Sequence, residues 1–143
     1  VFKLLLQRST VSDLLELRML FEPAYSVLAM RKATESELER LRRCVRNLEQ
    51  KVAEGTQTAN DDLAFHLAML ECTGNPFIIT IGQTIMQLFR SSIDHSMHTI
   101  PETALRDHQA ILTAFESGDE KALRSAIEDS FQGWMWSLRD EEE

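Results

Sequence analysis

The 143-residue sequence has a formal net charge of −8, whereas a surface that binds nucleic-acid phosphates is normally rich in clustered Lys and Arg. This chain itself is therefore not expected to contact DNA or RNA. Its apolar runs are shorter than the ~20 residues of a membrane-spanning helix. The apolar stretch at its start is too short for a secretory signal. We therefore predict a cytoplasmic protein with no membrane partner.

The predicted secondary structure is helical throughout. Only five Gly and three Pro occur in the chain, and long runs of Leu, Glu, Arg, Ala and Met favour helix. A chain of this length is most economically one domain. No stretch shows the alternation of apolar and polar residues that is typical of a β-strand. The sequence therefore predicts an all-α protein with one core.

The first helix is predicted to begin at Ser12, a suitable N-terminal cap, and to run to Met30. Because the chain does not begin with Met, we interpret residues 1–11 as the end of a linker from a missing N-terminal part. Pro23 removes one backbone hydrogen bond, so we expect it to bend this helix or to divide it near Phe21.

Arg18 lies among the leucines of this helix, with Glu22 one turn later. The simpler interpretation is an ion pair within the helix, worth a few tenths of a kcal/mol. The alternative is a guanidinium that points into a pocket and binds a carboxylate with two hydrogen bonds. Residue type and spacing favour the simpler interpretation.

Two further helices follow. Thr34 and Glu37 have the spacing of a capping box, which predicts the start of the second helix. The third helix is predicted from Asn60 to about Cys72, with Asn60 or Asp61 as its cap.

Asp62 and His66 stand four residues apart in this third helix, so their side chains lie on one helical face. The residues around them are mostly apolar, and a polar group removed from water is costly without a partner. Carboxylate and imidazole are both metal ligands. The pair is therefore a candidate binding site.

The fourth helix is predicted from Pro76, which is suited to a first turn, to about Met97. A polar stripe along this helix consists of Gln83, Gln87, Arg90 and Asp94. Such a stripe is either exposed to solvent or part of a ligand cavity between helices.

The fifth helix begins near Pro101 and has His108 on its apolar side. A single His there is more often a core residue than a ligand. Close to Asp62 and His66, however, it would be a candidate third ligand. A short turn at Gly118 precedes the last helix. We predict that residues 140–143 form a solvated acidic tail.

Three motifs in this order resemble the FCD effector domain, the C-terminal half of GntR-type transcription regulators of the FadR subfamily. Together they extend over nearly the whole chain. They are residues 14–23 (LLELRMLFEP), Asp62-x-x-x-His66 continuing to Thr73-Gly74-Asn75-Pro76, and His108-Gln109-Ala110-Ile111-Leu112 followed by Gly118-Asp119.

The resemblance implies an antiparallel bundle of about six to seven helices over residues 12–139. A central cavity of this bundle would hold a divalent metal (Zn²⁺, Ni²⁺, Mn²⁺ or Fe²⁺) and a small organic acid. It also implies a homodimer, and a preceding winged-helix domain, absent from this chain, that contacts DNA.

By the same resemblance, Asp62, His66 and His108 match three metal ligands. The implied effector-binding residues are Arg18, Arg90, Asn75 and Ser130. Ser130 stands where the family usually has a fourth histidine ligand, and a hydroxyl is a poor replacement for imidazole. A metal-anchored effector and an effector held by hydrogen bonds alone both remain open.

The sequence is compatible with three functions. The favoured one is a sensor whose effector has different affinities for two arrangements of the dimer. The second is a metal-dependent hydrolase or oxygenase with an Asp-His-His triad, but no general base beyond the ligands is evident. The third is a helical dimerisation module without a ligand. We predict a sensor and not an enzyme.

Overall fold

The computed structural model describes the backbone of residues 11–99 and 101–142 and the side chains of residues 12–90 and 101–132. Within these ranges the chain forms six helices and no strand, which confirms the all-α prediction. Residues 1–10 of the predicted linker and the side chains of the predicted tail at 140–143 lie outside the described residues. The helices are α1 (Val11–Lys32), α2 (Glu35–Glu54), α3 (Ala59–Glu71), α4 (Pro76–Thr99), α5 (Pro101–Ser117) and α6 (Glu120–Glu142).

Side-chain oxygens accept hydrogen bonds from backbone amides at the start of several helices. The predicted capping box of α2 is confirmed: the Thr34 hydroxyl accepts from the amide of Glu37, whose carboxylate accepts from the amide of Thr34. The predicted cap of α3 at Asn60 or Asp61 is wrong. Thr58 is the cap, and the Asp61 carboxylate accepts from its amide at 2.8 Å.

Pro23 does not divide the first helix, which is continuous from Val11 to Lys32. The side chain of Pro23 is buried. Packing of an apolar helical face contributes more to helix stability in proteins than intrinsic propensity does. The buried face of α1 therefore keeps the helix whole although one backbone hydrogen bond is missing.

The helices form a bundle in which α2 packs against α3, α3 against α4, and α5 against α6. Each of these pairs is joined by a short connection, so its two helices are antiparallel. Helix α1 packs mainly against α6 and also against α3 and α4. The core between them is apolar, and its largest fully buried side chains include Phe65, Phe89, Phe131, Leu41, Leu48 and Leu70.

A glycine allows α3 and α4 to approach closely. A Cβ atom on Gly82 would lie 2.4 Å from Cδ2 of Leu70, closer than two carbon atoms can pack. In the described part of the chain, none of the helices combines the length and the apolar character that crossing a lipid bilayer requires.

Candidate metal centre

Asp62, His66 and His108 meet in the interior of the bundle. Asp62 and His66 lie one turn apart on α3, and α5 contributes His108. At most 7% of each residue's surface is exposed. One potential ligand atom from each of the three lies within 4.8 Å of the others. The structure therefore brings together the three residues that the resemblance implied as ligands.

The Asp62 carboxylate lies between the two imidazoles. Its Oδ1 is 2.8 Å from Nε2 of His108, and its Oδ2 is 3.7 Å from Nε2 of His66. The two rings are nearly perpendicular, with centroids 5.1 Å apart. Both rings therefore present the same nitrogen, Nε2, to one carboxylate.

Two acceptors outside the cluster determine which ring nitrogens carry hydrogen. Nδ1 of His66 lies 3.1 Å from Oε1 of Glu22, and Nδ1 of His108 lies 2.6 Å from the carbonyl oxygen of Ala104. Carboxylate and carbonyl oxygens only accept hydrogen bonds, so each Nδ1 donates. In a neutral ring this leaves the lone pair on Nε2, the atom that faces Asp62.

These donors fit a bound cation. Nε2 of His108 is buried and has no assigned hydrogen bond among the described residues, although it lies 2.8 Å from Oδ1 of Asp62. A buried carboxylate at this distance needs a compensating positive charge, which either a proton on Nε2 or a cation between the two atoms supplies. Two imidazole nitrogens and a carboxylate suit Zn²⁺, Ni²⁺, Mn²⁺ or Fe²⁺.

A buried chain of charged groups extends from this cluster to α1. Nε of Arg18 donates to Oε2 of Glu22 at 2.6 Å, and the other oxygen of Glu22 accepts from His66. The guanidinium also lies over two aromatic rings, 5.5 Å from the centroid of Phe89 and 5.3 Å from that of Phe131. The ion pair predicted between Arg18 and Glu22 is confirmed, but it is buried.

Glu22 has a role that the sequence did not indicate. Metal-bound histidines commonly donate their second N–H to a carboxylate, which fixes the ring and raises its basicity. The sequence showed only the four-residue spacing between Glu22 and Arg18. Its contact with His66, on another helix, required the tertiary structure.

Mutual pairing keeps these groups charged in spite of their burial. Burial opposes ionisation of Glu22, but the charges of Arg18 and His66 lower the pKa of its carboxyl to about 2. Burial also opposes ionisation of Asp62, yet the charges of His108 and His66 hold its pKa well below the usual range. For His66, Glu22 and Asp62 outweigh burial and raise the pKa to about 9.

The other predicted effector residues make different contacts. Asn75 is at the start of α4, where its Oδ1 accepts from the amides of Phe77 and Ile78. The Ser130 hydroxyl donates to the carbonyl of Ile127 at 2.6 Å, within its own helix. These contacts give both residues a structural role, and their roles in effector binding stay predictions.

Arg90 lies on the surface of α4 and donates to the side chain of Asn60 on α3. It lines a groove of about 520 Å³ between the two helices, together with Gln83 and Gln87. These three members of the predicted polar stripe are exposed, and the side chain of the fourth, Asp94, lies outside the described residues. The solvent-facing interpretation is therefore correct for the described part of the stripe, and the groove is open to solvent.

Comparisons with known proteins agree with this architecture. Residues 13–133 match the FCD domain family. The chain is 26% identical over 146 residues to the HTH-type transcriptional regulator LutR of Bacillus subtilis, covering 92% of this chain and 67% of that protein. It is 26% identical over 132 residues to the HTH-type transcriptional repressor NanR of Cronobacter sakazakii, covering 84% of this chain and 49% of that protein.

Two solved structures resemble the fold. Escherichia coli McbR/YncC superposes with a TM-score of 0.82 at 18% identity, covering 93% of this chain and 66% of that one. Streptococcus agalactiae GntR superposes with a TM-score of 0.70 at 25% identity, covering 91% of this chain and 58% of that one. The chain thus spans about half to two thirds of the length of the proteins it matches.

The raised pKa of His66 predicts how the stability of the metal-free protein depends on pH. Protonation of His66 stabilises the folded state fully below the unfolded pKa of about 6.5, and this contribution is lost as the pH rises through about 9. Urea unfolding in the presence of a chelator should show a loss of about 3 kcal/mol between pH 6 and pH 9.5. In His66→Gln this loss should be absent, and an equal loss in both proteins would contradict the assignment.

Proposed function

Because this chain belongs to the FCD domain family, we propose that it is the ligand-sensing domain of a transcription regulator and binds a small organic acid through a divalent metal. The observation that carries this proposal is the convergence of three buried ligand atoms, with Nδ1 of each imidazole facing an oxygen acceptor and Nε2 facing Asp62. A sugar acid or a hydroxy acid is the proposed class of effector.

The proposed metal ligands are the Asp62 carboxylate and the Nε2 atoms of His66 and His108. Three protein ligands leave part of the coordination shell for water or for oxygens of the acid. A bound cation would supply Lewis acidity and positive charge, which attract a carboxylate or hydroxyl oxygen. Because Ser130 replaces the usual histidine, we propose a more open shell with weaker metal affinity than four protein ligands would give.

Arg18 is the proposed source of further positive charge near the acid. Its guanidinium is buried, and its hydrogen bond to Glu22 connects it to His66. Arg90 and Asn75 are also proposed to contact the effector, although both make other hydrogen bonds. Binding at Arg18 and at the cluster would thereby be coupled through one buried carboxylate.

Control of DNA is proposed for the full-length regulator. The relatives named above are a transcriptional regulator and a transcriptional repressor of the HTH type. We propose that a winged-helix domain, preceding this one, contacts DNA in the cytoplasm. The effector regulates it only if it binds two arrangements of the protein with different affinities. Since the relatives are named as regulators, the prediction that the chain is not an enzyme is supported.

We also propose that the domain forms a homodimer through α1 and α4. All large apolar side chains that are exposed among the described residues lie on these two helices. Helices α1 and α4 also pack against each other, which allows one continuous surface. Apolar surface of this kind is typical of a protein interface. The apolar surface residues are Leu17, Met19 and Leu20 on α1, and Phe77 and Ile81 on α4.

Thermal unfolding tests the metal-anchored sensor. Chelator-treated protein should be stabilised by Zn²⁺ or Mn²⁺, and further by L-lactate or gluconate only when metal is present. A ligand at 100 times its Kd adds about 2.7 kcal/mol, or roughly 5–10 °C in Tm for a chain of this size. Asp62→Asn should abolish both shifts because it removes the negative charge of the carboxylate ligand, and His66→Ala should do so because it removes a ligand nitrogen.

Asp61→Asn is the matched control, because Asp61 is the adjacent carboxylate on α3 and bonds instead to Lys51 and Thr58. It should lower the Tm and leave both ligand-induced shifts intact. If acids stabilise the protein without any metal, the acid is bound by hydrogen bonds and the metal-anchored binding mode is wrong. If neither metals nor acids change the Tm, the sensor function is wrong and a dimerisation module remains.

Sedimentation equilibrium tests the dimer. Leu20→Glu and Phe77→Glu each place a charge in the apolar surface and should shift the protein from the mass of two chains to that of one. A control, Gln50→Glu, adds the same charge at an exposed site on α2, which packs against α3 and α5. An unchanged mass in both apolar-surface variants would exclude this interface.

A further inference from the structure

Tyr25 carries a buried polar group that the proposed metal and carboxylate contacts leave unused. Only 2% of its surface is exposed, and its hydroxyl makes no hydrogen bond to a described residue. Burying a hydroxyl without a partner lowers stability, so phenylalanine would be the better residue if packing were the only role. A hydrogen-bond partner from outside the described chain would remove this cost.

The position of Tyr25 on α1 directs it toward the candidate metal centre. Arg18, Glu22 and Tyr25 follow one another at spacings of four and three residues, which places them on one helical face. Glu22 on this face reaches His66 of α3. The ring of Tyr25 is held by Phe21, with centroids 5.3 Å apart. A fixed hydroxyl thus lies on the side of α1 that lines the charged cluster.

The electrostatic surroundings of the hydroxyl agree with this position. Burial raises the pKa of Tyr25 well above its ordinary value, and the nearby charges of Glu22 and Asp62 raise it further against the opposing effect of Arg18. Charged residues from both α1 and α3 therefore lie close enough to change the pKa of this hydroxyl. It remains protonated at neutral pH and is available as a hydrogen-bond donor.

We propose that the Tyr25 hydroxyl determines effector specificity by donating a hydrogen bond to an oxygen of the organic acid other than its carboxylate. This inference rests on the sensing function proposed above. The cation and Arg18 can bind the carboxylate by charge, whereas a neutral hydroxyl adds a directional contact. A site built to hydrogen-bond one substituent discriminates strongly against analogues that lack it.

The charges of the loaded site indicate the class of acid. A divalent cation and Arg18 bring three positive charges, and Glu22 and Asp62 bring two negative charges. The coordinating imidazoles are neutral, so the cation and Arg18 supply the positive charge that attracts a carboxylate. The inferred effector is therefore a carboxylate that also carries a hydroxyl group, as lactate and gluconate do.

Isothermal titration of the manganese-loaded protein with L-lactate and with propionate tests the inference, because these acids differ only in the 2-hydroxyl group. The wild-type protein should bind lactate more tightly. Tyr25→Phe should weaken lactate binding about tenfold, which is the effect of one hydrogen bond, and should leave propionate binding unchanged. Its Tm without acid should equal or exceed that of the wild type, because the hydroxyl has no partner in the described chain.

Thr73→Val is the matched control. It also removes a buried hydroxyl, but one that already donates to the carbonyl of Leu70 at 2.7 Å. This variant should lose stability and keep its preference for lactate over propionate.

Three results would overturn the role of Tyr25: an unchanged lactate preference in Tyr25→Phe, an equal loss for both acids, or a fall in Tm as large as that of Thr73→Val. If the wild-type protein binds neither these acids nor gluconate, the proposed sensing function fails instead.

Discussion

A continuous chain of buried charged and polar side chains connects three helices of this bundle. Arg18 and Glu22 on α1, Asp62 and His66 on α3, and His108 on α5 are each largely removed from water. Removing one partner from a buried pair leaves an uncompensated charge and typically destabilises a protein by about 3–5 kcal/mol. The helices must therefore pack in the register that keeps every member of this chain paired.

Such a network is seldom the most stable solution for a core, because apolar side chains of similar volume often give equal or greater stability. The metal binding proposed above would explain its arrangement. In the metal-free protein the protonated His66 and the Arg18 guanidinium together compensate the carboxylates of Glu22 and Asp62. A divalent cation would displace that proton, since only the neutral ring coordinates. In this proposal a proton and a metal ion would compete for Nε2 of His66.

Sequence patterns predicted the elements of this structure better than the contacts between them. The capping box at Thr34, the start of α4 at Pro76 and the shared face of Asp62 and His66 all depend on local spacing. The continuity of α1 through Pro23 does not depend on local spacing, because tertiary packing overrides the local preference of proline to break a helix. The same holds for contacts between helices: Glu22 reaches His66 across 44 positions, and no periodicity reports that contact.

Diffraction at the zinc absorption edge, from crystals grown with Zn²⁺, tests the central claim most directly. We expect one strong anomalous peak in the interior, bonded to the Asp62 carboxylate and to Nε2 of both His66 and His108. Nδ1 of His66 should remain on Glu22, and Nδ1 of His108 on the carbonyl of Ala104. Zinc bound only at the surface, or a ring turned so that Nδ1 is the ligand, would contradict the proposed preset metal centre.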